Sequence, residues 1–364
     1  MICELPSLLS PLGAPSRRRF LKKITTHLEP LSSQPDSLTF KKMLVNKLKA
    51  KFAVTFGFVW VTIGWFAGAK AAAGDTSLNI APQSGVSYAQ VGAEKQLAAN
   101  LYAAKAAVSV HRHPSEESEM VTQALHGEPV RVLSRQNSWL QVSLPDQFDY
   151  RGWVRASDLG SISSGKPWEK RSIVSVARAS VRTLPRRNAP AFLVLPLGTV
   201  VGAGARADSN FTWVELVGGR QGYILSRELL DYSQQNRQRV SGERILETAR
   251  QLLGQPYLWG GMTTAGVDCS GFAHTVFKVH GIRLHRDADQ QYFSDGISIP
   301  PDQLHPGDLV FFETYTSGPS HLGIYAGNGK FIQASSSDGV IYSSLDAPDF
   351  SDRFLGAKRI LRRR

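Results

Sequence analysis

The chain has 364 residues, two of them cysteine, and 42 Lys/Arg against 30 Asp/Glu give a formal net charge of +12. That length leaves room for two or three domains, and two cysteines exclude a disulfide-stapled scaffold. Residues 1–74 hold eleven Lys/Arg and three Asp/Glu, eight of the twelve net positive charges, so the remainder lacks the polycation signature of a nucleic-acid binder.

The basic end has a pattern. Met43 precedes Lys47, Lys49 and Lys51, then an uncharged run from Phe52 to Gly68, then Ala69-Lys70-Ala71-Ala72-Ala73. A basic segment, an apolar segment and a small-residue site read as an export signal over about 43–73. The apolar run of 17 residues is long for a signal, so an uncleaved membrane anchor is the competing reading. Residues 1–42 read as an upstream extension, with Met43 the natural start. Cleavage near Gly74 removes Cys3 and leaves Cys269 as the one thiol. No cysteine stands at the cleavage site to take a lipid. Residues 75–103, rich in Ala, Ser and Gly, read as a linker with a short helix over Ala93–Ala104.

Two β-rich segments follow, 104–160 and 171–232, with Ser161–Lys170 between them. Short β-branched runs alternate with turn residues in each. Gly127, Trp139, Gly152-Trp153-Val154 and Asp158-Leu159 in the first echo Gly198, Trp213, Gly222-Tyr223-Ile224 and Glu228-Leu229 in the second. A period of about 70 residues implies one small domain per copy. Trp139 and Trp213 are expected in the barrel cores, with a ligand groove of Trp139, Trp153, Trp213 and Tyr223 as the alternative.

After the polar stretch 233–239, Ser241 is positioned to cap a helix bearing Ile245, Ala249, Leu252 and Leu253, ended by Gly254. Tyr257-Leu258-Trp259-Gly260-Gly261 and Val267-Asp268-Cys269-Ser270-Gly271-Phe272 come next. Cys269 opens a run with apolar residues at helical spacing, closed by Gly281. A thiol at a helix N-terminus meets unpaired N–H groups and the positive dipole end, which favours the thiolate. Its local context fits either a nucleophile or a small buried hydrophobe. Downstream, His305-Pro306-Gly307-Asp308-Leu309-Val310-Phe311-Phe312 feeds a strand, and Ser320-His321-Leu322-Gly323-Ile324-Tyr325 starts a second. Asn328-Gly329 turns that strand into Lys330-Phe331-Ile332-Gln333-Ala334-Ser335. His321 and Gln333 then lie across a hairpin, where a base and its orienter belong.

Taken together, Tyr-x-Trp-Gly-Gly, Asp-Cys-Ser-Gly-Phe, Pro-Gly-Asp-Leu-Val-Phe-Phe, His-Leu-Gly-Ile-Tyr and Gly-Asn-Gly-Lys-Phe-Ile-Gln-Ala-Ser stand in the order of the NlpC/P60 cell-wall cysteine peptidases. The chain resembles that superfamily across 240–360. The β-rich pair looks like the two bacterial SH3-like barrels that precede such peptidases. The resemblance implies an α+β papain-like catalytic domain with two small all-β barrels, and no cofactor. It implies Cys269 as nucleophile, His321 as base and Gln333 in a third position where many members have His. By the same resemblance Tyr257 donates to the oxyanion, and Asp268 and Ser270 hold the peptide near the scissile bond. The Arg286-Asp287 pair is common to family members, and Ala288 replaces a serine that some carry. The implied substrate is a peptidoglycan stem peptide or muropeptide, cut between γ-D-glutamate and a diamino acid. In relatives with barrels, the first can form part of the cleft and restrict it to short peptides with a free amino end. The implied location is secreted or periplasmic, with membrane contact only through an uncleaved signal. A wall-binding protein with a degenerate peptidase domain, or an amidase or acyltransferase on the same fold, remain alternatives. A metal site lacks H-E-x-x-H and cysteine pairs; His111-x-His113 reads as a solvated turn, and His274, His280, His285 and His305 read as surface or packing residues. Gly260-Gly261 reads as a place where backbone approaches the cleft.

Overall fold

The computed structural model describes residues 101–163, 167–207, 210–232 and 240–361. The N-terminal extension, the signal or anchor segment 43–73, Cys3 and the stretch up to residue 100 lie outside the described residues. The first β-rich segment forms β1 (Leu101–Ala103), β2 (Ala107–His111), β3 (Met120–Leu125), β4 (Pro129–Gln136), β5 (Trp139–Leu144), β6 (Tyr150–Arg155) and β7 (Leu159–Gly160). They make one sheet in the order β3-β2-β6-β5-β4-β1-β7. The second forms β8 (Arg171–Val174), β9 (Arg178–Arg182), β10 (Ala191–Pro196), β11 (Val200–Arg206), β12 (Phe211–Glu215), β13 (Gln221–Leu225) and β14 (Leu229–Asp231). Its order, β10-β9-β13-β12-β11-β8-β14, is the first shifted by seven, so the repeat is one of topology.

Where a helix was expected up to Ala104, the chain is the strand β1. It pairs with β4 on one side and β7 on the other, which buries Tyr102 and Ala103. Inward residues alternate along the strands, giving one core of Val108, Val110, Ala124, Val142 and Val154 and another of Val174, Val181, Leu195, Val214 and Ile224. Gly152 and Gly222 are equivalent: a Cβ at either would lie 2.5 Å from the facing Val110 or Val181.

The tryptophans depart from expectation. Trp139 lies opposite Arg155, whereas Trp213 lies opposite Tyr223, so the position matching Trp139 is Phe211, opposite Leu225. Trp139 is buried outside the core, under the Arg155 guanidinium 4.3 Å away and edge-on to His111 at 5.4 Å. Trp213 is half-buried and lies across Gly204, whose missing side chain leaves bare sheet for the indole to cover. Trp153 and Tyr223 are half-buried as well.

The C-terminal part contains α1 (Gly242–Arg250), β15 (Met262–Thr263), β16 (Gly266–Val267), α2 (Cys269–Val279), α3 (Ala288–Ser294), β17 (Ile297–Ile299), β18 (Leu309–Phe312), β19 (His321–Gly327), β20 (Lys330–Ser335), β21 (Gly339–Ser344), α4 (Pro348–Ser351) and β22 (Phe354–Arg359). The sheet runs β17-β22-β18-β19-β20-β21, all antiparallel. Ser241 caps α1 by accepting from Arg244 N–H. Leu253, expected on the apolar face, is exposed because the helix has ended at Arg250. Asn328 and Gly329 both take positive φ, as a two-residue hairpin turn requires.

Every residue of α2 is buried. One side packs on β19 and β20 through Phe272, Val276 and Phe277, in a core with Leu309, Leu322 and Ile332. Leu197 of the second barrel joins that same core. The described residues all belong to one compact unit, Ser87–Arg364.

Candidate active site

Asp268 caps α2, its Oδ1 accepting from Gly271 N–H at 2.6 Å, so Cys269 is the first residue of the helix. The thiol is 4% exposed and faces the backbone N–H of Leu322, at the start of β19. The expected acidification does not hold. Burial pushes the thiol up to about 12, the Asp268 charge adds to it, and the Leu322 N–H and the Arg286 charge offset only part. A helix end favours a thiolate that still has water around it; this thiol has little.

The β19–β20 register sets Ile324 against Ile332, which brings His321 and Gln333 to the same face of the sheet. His321 Nε2 donates to Gln333 Oε1 at 2.6 Å. Gln333 Nε2 donates to Ser343 Oγ at 2.9 Å, so its oxygen is the atom turned to the ring. That direction puts the proton of a neutral imidazole on Nε2 and leaves Nδ1 as acceptor. Burial lowers the His321 pKa below its usual range, against the Gln333 bond and the Asp268 charge. Phe350 stacks beside the ring at 6.4 Å and Phe312 closes another side at 6.2 Å.

Tyr257 bridges to Val267 and packs beside the thiol; burial and then the Cys269 and Asp268 charges raise its pKa, which keeps the phenol protonated. Trp259, 46% exposed, meets Tyr315 edge-to-face at 5.5 Å. Tyr315, from the loop between β18 and β19, is pushed up to about 12 by burial and then by Cys269 and Asp268. Tyr257 and Tyr315 flank the thiol, and Trp259 packs against Tyr315.

The opposite side comes from the first barrel. Trp259 Nε1 donates to Glu119 Oε1 at 2.9 Å, and Tyr150 OH donates to Asp287 Oδ1 at 3.3 Å. Burial raises the Asp287 pKa, with Arg286 the largest opposing charge. Gly260, expected to let backbone approach the cleft, admits barrel backbone: its φ is +73°, and a Cβ would lie 2.4 Å from Met120 O.

Asp268 and Ser270 are occupied. Asp268 Oδ2 accepts from Gly260 N–H at 2.8 Å and from Arg286 at 2.6 Å; Oδ1 accepts from Arg286 at 3.1 Å and from Ser270 Oγ at 3.3 Å. Ser270 Oγ accepts from Arg286 at 2.9 Å. Both residues hold the wall of the cleft together. Arg286, 1% exposed, was legible only as one half of an Arg-Asp pair, and Glu119, Tyr150 and Tyr315 carried no motif.

His274, His280, His285 and His305 have packing roles. His274 is buried and bonds Leu284 O, His280 bonds Thr248, His285 pairs with Asp295, and Arg359 contacts His305. His111 is buried on β2 with Nδ1 on Ser118 O, contrary to the solvated turn expected; His113 is exposed.

Residues 254–359 match the NlpC/P60 family and residues 110–159 match the bacterial dipeptidyl-peptidase SH3 domain. A γ-D-glutamyl-L-lysine dipeptidyl-peptidase of Bacillus subtilis is 32% identical over 222 residues, covering 58% of this chain and 71% of the relative. The chain belongs to the NlpC/P60 family. A probable endopeptidase NlpC of Escherichia coli is 48% identical over 110 residues, 29% of this chain and 70% of its own length. An NlpC/P60 family crystal structure from Bacillus cereus superposes with a TM-score of 0.66 at 23% identity, over 72% of this chain and all of the other, a likeness of fold that takes in barrels and catalytic domain.

Proposed function

We propose that this NlpC/P60 protein is a peptidoglycan hydrolase of the cell envelope, a cysteine peptidase cutting stem peptides between γ-D-glutamate and a diamino acid. The observation that carries it is the directed pair at His321: a ring proton held by Gln333, itself held by Ser343, which leaves Nδ1 unprotonated on the residue next to Leu322, whose N–H faces the Cys269 thiol. A thiol pushed up to about 12 is protonated at rest, so attack is coupled to proton transfer from Sγ to His321 Nδ1. The thiolate adds to the γ-glutamyl carbonyl. The oxyanion meets the Cys269 N–H and the Tyr257 phenol. The imidazolium then protonates the leaving amine, and water activated by His321 releases the acyl group.

The barrel face supports a preference for short peptides with a free amino end. Asp287, held by Tyr150 of the first barrel, places an acidic group beside Tyr315, which also faces the thiol, and Glu119, paired with Arg112, holds Trp259 at the same cleft; an ammonium group is favoured at Asp287. Purified protein is given L-Ala-γ-D-Glu-diamino acid peptides, free or N-acetylated, beside Cys269→Ala. Release of the dipeptide from the free peptide alone, lost in the variant, is expected. Equal cleavage of the acetylated peptide refutes the amino-end preference, and undiminished turnover by Cys269→Ala refutes the nucleophile.

A further inference from the structure

The helix bearing Cys269 is held at both ends by one buried polar chain that passes through the first barrel. It starts at Asp268, the cap of α2, whose carboxylate takes two donors of the Arg286 fork. Arg286 Nε donates to Thr122 Oγ1 at 2.7 Å, and Thr122 donates to Gln147 Oε1 at 2.8 Å. Gln147 Nε2 donates to Glu128 Oε2 at 3.2 Å and to Gln123 O at 2.9 Å. Glu128 pairs with Lys278, in the last turn of the same helix. Asp268, Arg286, Thr122, Gln147, Glu128 and Lys278 are all buried.

The two charged ends set the direction of the chain. Arginine and lysine can only donate, so Thr122 must accept from Arg286; its one proton goes to Gln147 Oε1, the stronger and nearer acceptor at 2.8 Å against Met262 Sδ at 3.3 Å, and the Gln147 amide then donates to Glu128. Two cations and two carboxylates alternate, so the chain is neutral overall. The middle of it, Thr122, Gln147 and Glu128, belongs to the barrel. Groups facing Cys269 are Asp268 at the cap of its own helix, Arg286 from the loop before α3, Tyr257 from the segment before β15, Tyr315 from the β18–β19 loop and the Leu322 N–H on β19, next to His321. Of these, Arg286 is the cation that cancels the carboxylate adjacent to the thiol.

We infer that Thr122 and Gln147 of the first barrel are positioning residues for the nucleophile, fixing the Arg286 guanidinium across Asp268 so that docking of the barrel sets the charge beside Cys269. The inference rests on the proposed role of Cys269, and deepens it. The guanidinium has three fixed directions, toward the Asp268 fork, Ser270 and Thr122. Removing the last leaves a buried N–H without an acceptor, and the arginine swings to find one. The Asp268 charge is then less cancelled, and thiolate formation becomes harder.

The experiment uses the full chain with Thr122→Val, which keeps the shape and removes the hydroxyl, and Thr122→Ser, which restores it. The rate of Cys269 alkylation is followed from pH 7 to 11, and kcat and KM are measured on a free stem peptide. Thr122→Val should move the alkylation profile to higher pH and lower kcat roughly 10–100-fold with little change in KM; Thr122→Ser should return both to wild type. If Thr122→Val does not fold, Gln147→Met breaks the next link without touching Arg286 and should give the same shift, smaller. A wild-type alkylation profile in folded Thr122→Val or Gln147→Met, with or without a lowered melting temperature, overturns the inference. The alkylation profile needs no substrate, so a protein that cuts no stem peptide sinks the proposed function while the profile still decides the positioning role.

Discussion

Lys278 and Glu128 give the sharpest quantitative test of how the first barrel is joined to the catalytic domain. Both are buried, one on α2 and one at the start of β4. Lys278→Met removes the cation and leaves Glu128 facing only the Gln147 amide, an uncompensated buried carboxylate. Breaking such a pair from one side costs about 3–5 kcal/mol, whereas replacing both partners by apolar groups of similar volume is often near neutral. Lys278→Met should therefore lose about 3–5 kcal/mol in urea unfolding at pH 7, and Lys278→Met with Glu128→Leu should lie within about 1 kcal/mol of wild type. The deficit has a sign in pH. Without Lys278, burial raises the Glu128 pKa above its unfolded value near 4.3, so that protonated carboxyl stabilises the fold below pH 4.3 and loses its contribution as pH rises. Measured against wild type at each pH, the gap should narrow from pH 7 toward pH 4.5. A single-variant loss under about 1 kcal/mol, or a double variant no better than the single, would refute the reasoning.

Other measurements bear on the catalytic centre. Gln333→Leu should lower turnover roughly 10–100-fold by freeing the His321 ring, while Gln333→His should retain much of it; wild-type rates from Gln333→Leu at pH 5 to 9 would make Gln333 a bystander. Cys269 should alkylate slowly at pH 7, because a thiol pushed up to about 12 against about 8.5 for a free cysteine has several thousandfold less thiolate; labelling as fast as glutathione would show an acidified thiol. His126 and His280, lowered to about 4, and His274, lowered to about 3, are all driven down by burial. Their folded pKa values lie below the unfolded 6.5, so each stabilises the neutral-pH fold and gives up that contribution as pH falls through the window from 6.5 to about 3–4. Chemical denaturation should show stability falling across that window, and a flat profile would contradict it.

The sequence made the centre legible because its chemistry is local. Cys269 follows a capping Asp, His321 opens a strand, and the Asn-Gly turn fixes the register that brings Gln333 across. The bonds that tie the centre to the barrel are not local. Thr122, Gln147 and Glu128 look like ordinary polar residues of a β segment, and only the tertiary fold places them under α2. The thiol pKa was misjudged for the same reason, since a helix cap is visible in sequence and the burial that outweighs it is not. Trp139 and Trp213 match by letter although their ladder positions differ by two.

The total burial of α2 also bears on how such a protein can be inherited. Residues 233–239, polar and without motif, look like a natural seam between modules. A recombination there would strip Lys278 of Glu128 and Arg286 of Thr122, and would take Leu197 out of the catalytic core. The unit that evolution can pass on intact in this branch is therefore both barrels together with the catalytic domain. A foreign catalytic third spliced onto these barrels would have to bring matching replacements for Thr122, Gln147, Glu128 and Leu197, or arrive with a helix that no longer needs them.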